Sequence, residues 1–132
     1  MWAYVDFNFY LEVVSVSDTG LDVDNCYFYD ASGAVDANKE MKVDHSRRKV
    51  VQYYSHVDGL DYELGHGTHV VGTIIGAKAV DGKHESDGFA DGCAKSAKVA
   101  FFDIGDNRGS LSLPGTIRKL FEVGSYCFVS PV

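Results

Sequence analysis

The sequence predicts an α/β protein built on a mainly parallel sheet, and three observations point there. Three short runs, residues 11–18, 48–55 and 97–105, are rich in β-branched and aromatic residues and almost continuously apolar, as in strands covered on both faces. Two stretches with helical spacing, 66–78 and 113–124, follow the second and third runs. A strand, a helix and then another strand make a crossover unit, which leaves the two strands parallel.

The elements follow in chain order. "LEVVSVSD" (11–18) reads as a buried strand that stops at Asp18-Thr19-Gly20, a tight turn, so the aspartate stands at the strand's carboxyl end. The polar stretch 30–48, with "DASGAVDANKE", has turn formers and little periodicity and reads as a loop. "RKVVQYYS" (48–55) is the second strand. From His66 to Lys78, the residues Val70, Val71, Ile74 and Ile75 recur at helical spacing behind Gly65 and Gly67. The acidic, glycine-rich segment 81–92 reads as a surface loop. "AKVAFFDIG" (97–105) is the third strand, and "LPGTIRKLFEVG" (113–124) a helix with Pro114 near its start. No internal repeat or low-complexity segment occurs.

Composition closes off several classes of function. With 132 residues there is room for one core at most, and 45% apolar against 23% charged residues is ordinary for a folded domain. A net charge of −7, with 47–49 as the sole basic run, argues against a nucleic-acid surface. The longest apolar-leaning run, 70–80, is about half of a membrane span. The opening "MWAYVDFNFY" has no basic leader and contains Asp6, so it does not read as a signal peptide, and no compartment is indicated. Cys26, Cys93 and Cys127 lack the two-residue spacing of a metal knuckle or redox pair.

Chemistry concentrates at "ELGHGTHVVGTIIGAK". An imidazole at a helix start suits a base that begins neutral, provided that one nitrogen is free and the other is held by an acceptor. Flanking glycines admit other backbone or a substrate close to the His66 ring. Asp18, at a strand's carboxyl end where ligands of parallel sheets bind, is the candidate acceptor. Competing motifs are weaker. His66-Gly-Thr-His69 has the wrong spacing for a zincin and no glutamate after the first histidine, so His69 reads as a packed or hydrogen-bonded helix residue. "HESDG" at His84 lacks a second histidine. A calcium loop begun at Asp22 needs glycine at Tyr27 and glutamate at Gly33. Asp18-Thr19-Gly20 also marks aspartic proteases, of which a single copy could form half of a homodimer, but Leu21 stands where those carry alanine or serine.

"VVSVSDTGLD" around Asp18 and "GHGTHVVGTIIG" around His66 together resemble the aspartate and histidine signatures of the subtilisin-like serine proteases, in the family's order. "GCAKSAKVAFFDIG" (92–105) is similar to the segment that follows in the family, with Lys95 where proline is usual. "KVVQYYS" is similar to members with a longer insert between the two blocks, here 48 positions apart. The likeness runs over residues 12–124. It implies the N-terminal part of a doubly wound, mainly parallel α/β domain acting on polypeptide substrates, with Asp18 orienting His66 and His66 acting as general base and then acid. No cofactor is implied. Family members often hold a structural calcium; the acidic loop 81–91 is where one would fit here, and no specific motif marks it.

The family's Gly-Thr-Ser-Met-Ala-like block, which bears the nucleophile, does not occur; "GTI" at 115–117 has no serine. The chain is therefore expected to be a fragment that hydrolyses no peptide bond by itself. The alternative is a catalytically silent piece acting at most as an interaction module. A Cys26–Cys93 disulfide stays open at this point.

Overall fold

The computed structural model of the chain describes residues 12–61, 64–80 and 86–125. Within them lie strands β1 (Val13–Asp18), β2 (Val50–Ser55) and β3 (Lys98–Asp103), with helices α1 (His66–Ile75) and α2 (Arg118–Ser125). The predicted opening segment, His84 and Cys127 fall outside the described residues.

The three strands form one parallel sheet in the order β1-β3-β2. β3, in the centre, is buried from its second residue onward, which is why "VAFFD" is nearly continuous in its hydrophobicity. Its side chains alternate between two cores. Val99 and Phe101 join Val71 and Ile75 of α1, with Leu21, Phe28 and Tyr53. Ala100 and Phe102 join Val51, Tyr54 and Ile104, against which Leu120 of α2 packs. One helix therefore lies on each face. Tyr53 meets Phe101 edge to face at 5.2 Å between centroids, and Tyr54 stacks on Phe102 at 4.9 Å, one aromatic pair on each side. The outer edge of β2 is covered by the 38–44 excursion, through Asn38 N–H to Tyr53 O and Asp44 N–H to Val51 O.

Two boundaries differ from the sequence reading. α1 stops at Ile75 rather than Lys78 because its last carbonyls are claimed by other backbone. Cys93 N–H donates to Thr73 O, Ala94 N–H to Ile74 O and Gly92 N–H to Gly76 O. Lys49 completes the cap: its buried ammonium donates to Ile75 O at 2.8 Å, Ala97 O at 3.1 Å and Lys95 O. Burial pulls the Lys49 amine down to about 7, while three carbonyl acceptors favour its charged form. α2 begins at Arg118 rather than Leu113. Ser112 N–H is taken by Ile104 O, and Leu111 bridges Gly105, so 111–112 run extended against the end of β3. Leu113, ahead of Pro114, is disfavoured from helical geometry. No helix among the described residues is long and apolar enough to cross a membrane.

Candidate active site

Asp18 is the last residue of β1 and His66 the first of α1, and folding brings them together. The His66 Nδ1 lies 2.8 Å from Asp18 Oδ1. The same oxygen accepts the Thr19 N–H at 2.7 Å, which holds the carboxylate against its own turn. Burial differs sharply within the pair, the aspartate side chain being 12% exposed and the histidine 68%. An ionised carboxylate only accepts, so Nδ1 donates in this bond and Nε2 is the ring nitrogen not engaged by Asp18. The arrangement is an imidazole oriented by a sheltered carboxylate, with a ring open to a reactant.

Glycines make this approach feasible. Gly65, in the left-handed region at φ 64°, turns the chain into α1. Gly67 sits against the turn after β1: a Cβ there would lie 2.1 Å from Gly20 O. The glycine after His66 thus admits the backbone that carries Asp18. Gly67 N–H, free at the helix start, donates to Thr19 Oγ1 at 3.1 Å, so a threonine distant in sequence caps α1. A second tie runs through Thr68, whose hydroxyl donates to Asp61 Oδ2 at 2.8 Å and accepts Asp22 N–H at 2.7 Å. Tyr53 accepts the Leu21 N–H, and burial pushes its phenol up.

Asp103, the last residue of β3 and the register partner of Asp18, is fully buried. Burial pushes its carboxyl up to about 6 against an ordinary 3.8; the N–H groups of Gly105 and Gly59 oppose the rise, and Asp58 and Asp61 add to it. The folded state therefore holds this proton more tightly than the unfolded chain. Stability from the group is full below about pH 4 and is lost as pH rises through about 6, a swing of about 3 kcal/mol. Urea midpoints measured across that window should fall with rising pH more steeply in the native chain than in Asp103→Asn; equal slopes would refute the assignment.

His69, read as a packed or hydrogen-bonded helix residue, lies in α1 but is exposed, and lines a cleft of about 380 Å³ with Asn25, Tyr27, Phe28 and Thr73. α1 turns that face outward because Val71 and Ile75 occupy the sheet side. Cys26 and Cys93 are free, exposed thiols. Among the described residues, no group of three or more His, Cys, Asp or Glu side chains could hold a metal ion. Thr19, Asp61, Thr68 and Asp103 were not singled out by the sequence. The one available signal was an aspartate closing the apolar run "AFFD".

The sequence profile of the subtilase family, peptidase S8, matches residues 12–123. The chain is 35% identical over 113 residues to the "Serine protease/ABC transporter B family protein tagA" of Dictyostelium discoideum, covering 84% of this chain and 6% of that protein. It is 33% identical over 111 residues to tagB of the same organism, with the same coverage, and 40% identical over 94 residues to tagD, covering 70% of this chain and 5% of that protein. The chain thus spans about 6% of the length of these relatives. No solved structure matches it. With the family profile running from just before β1 into α2, and the Asp18 and His66 blocks both inside it, the chain belongs to the subtilase family.

Proposed function

We propose that this chain supplies the aspartate and histidine of a Ser/His/Asp triad in a serine endopeptidase, the serine coming from outside these 132 residues. The observation that carries the reading is the 2.8 Å contact of His66 Nδ1 with Asp18 Oδ1, which leaves the other ring nitrogen for a nucleophile. In the reaction, His66 Nε2 takes the proton of the serine hydroxyl as it attacks the peptide carbonyl, then gives it to the leaving amine. Asp18 holds the ring in the working tautomer and offsets the charge of the imidazolium. The names of the relatives, which begin with serine protease, support the same class. We also read the sheet, with α1 on one face and Leu120 of α2 on the other, as the N-terminal part of a doubly wound domain.

An interaction module is the second reading, favoured by one observation: Leu111, Leu113, Ile117 and Phe121 are 58%, 65%, 66% and 71% exposed along one stretch of chain.

The 132-residue chain alone is expected to cleave no peptide. A fluorogenic peptide assay with a serine-directed inhibitor as control checks this, and inhibitor-sensitive turnover would refute it. The wider reading is tested by sequencing the transcript in frame past Val132. A Gly-Thr-Ser block there makes Asp18 and His66 catalytic residues; a stop codon there leaves them relics and favours the module.

A further inference from the structure

The catalytic pair touches only part of what holds it in place. Asp103 does not reach His66, yet its two carboxylate oxygens act on two separate stretches of backbone. Oδ2 accepts the Gly59 N–H at 2.7 Å and Oδ1 the Gly105 N–H at 3.0 Å. Both stretches bear on the turn that follows Asp18. Gly105 lies so close that a Cβ on it would stand 2.4 Å from Thr19 Cα, and the carbonyl of Leu60, next to Gly59, would stand 2.0 Å from a Cβ on Gly20. Between those two flanks, Thr19 donates its N–H to Asp18 Oδ1, and its hydroxyl accepts the Gly67 N–H of α1. The Gly59 side also continues to α1 by way of Asp61 and Thr68.

We propose that Asp103 is a positioning residue for the Asp18–His66 pair, clamping the 59–61 loop and Gly105 on either side of the Thr19–Gly20 turn so that the carboxylate of Asp18 meets the His66 ring. The inference rests on the reading of that pair as catalytic. A carboxylate suits the task because it offers two acceptors and no donor to two N–H groups; an asparagine accepts with one oxygen and turns its NH₂ toward the other N–H. An alanine serves neither. Titratable groups near Asp103 include Asp58 and Asp61 on the loop, Tyr53 on β2, Asp18 on β1 and His56, whose backbone N–H donates to the Asp103 carbonyl.

The test is NMR on the ¹⁵N-labelled 132-residue chain, following the His66 Nδ1–H resonance and amide exchange at Gly59 and Gly105. Native chain, Asp103→Ala, Asp103→Asn and Val99→Ala are compared, the last truncating the buried core on the same strand away from the site. In Asp103→Ala the ring proton should be lost and both glycine amides should exchange about tenfold faster. Asp103→Asn should broaden the ring signal and release one of the two glycines, and it decides the question if the alanine variant does not fold. Val99→Ala should keep the ring proton despite its lower stability. An unchanged ring signal in Asp103→Asn, or its equal loss in Val99→Ala, overturns the positioning role while leaving the catalytic pair intact. A native chain without the ring proton overturns the pair itself, and this inference with it.

Discussion

Replacing His66 by alanine is expected to lower turnover by about 10⁶ in any form of the protein that also carries the nucleophilic serine, the size of loss known for subtilisin when serine or histidine is removed singly. The expectation follows from geometry. The ring is fixed through Nδ1 on Asp18 at 2.8 Å, and no other described histidine stands on that carboxylate. His69, three residues on, lines a different cleft and cannot substitute. Asp18→Asn should cost less, about 10⁴, because the amide still fills the site but favours the wrong tautomer of the ring. Asp18 Oδ1 serves both the Thr19 N–H and the His66 Nδ1, so an asparagine that turns its NH₂ to the ring also gives up the Thr19 bond. Steady-state kinetics on a peptide substrate, with active-site titration to count folded enzyme, gives both numbers. A loss below about 10² for His66→Ala would remove it from the mechanism.

Gly67→Ala should destabilise the fold by more than about 4 kcal/mol, although alanine in place of glycine inside a helix ordinarily stabilises by about 1 kcal/mol. Local propensity loses here to a backbone clash. The new methyl would lie 2.1 Å from Gly20 O and 3.2 Å from Asp18 Cβ, and the obstructing atom is main chain of a residue that is itself closely packed by the Leu60 carbonyl. Relief requires the start of α1 to move off the turn, which breaks the Gly67–Thr19 cap and draws His66 from Asp18. Gly72→Ala on the same helix is the internal control. Its Cβ would meet nothing nearer than Phe28 Cζ at 4.0 Å, so a gain of about 0.5–1 kcal/mol is expected. Urea unfolding of the two variants separates the effects; similar midpoints would mean that α1 does not pack on the turn as described.

Sequence and structure contributed unequally to these conclusions. The periodicity of "HVVGTII" and the dense apolar run of "KVAFFD" were sufficient for a helix and a strand, because the pattern of burial is written directly into such segments. Element ends were less legible. α1 stops at Ile75 because the backbone of 92–94 and Lys49 take the carbonyls at its end, and nothing within residues 66–78 encodes those partners. The same holds for α2, whose expected start follows directly on residues 111–112, and these run extended beside the end of β3.

By itself the sequence determined the α/β class, the family and the identity of Asp18 and His66 as the pair worth watching, since those depend on residue types at short range and on two recognisable blocks. Only the tertiary structure decided that the two side chains meet at 2.8 Å, that Thr19 caps α1, and that a buried Asp103 holds both flanks of the turn. The reason is physical. A hydrogen bond between residues 44 or 48 positions apart exists only after the sheet has set the strand ends side by side, and no local preference foretells which acceptor a distant N–H will find.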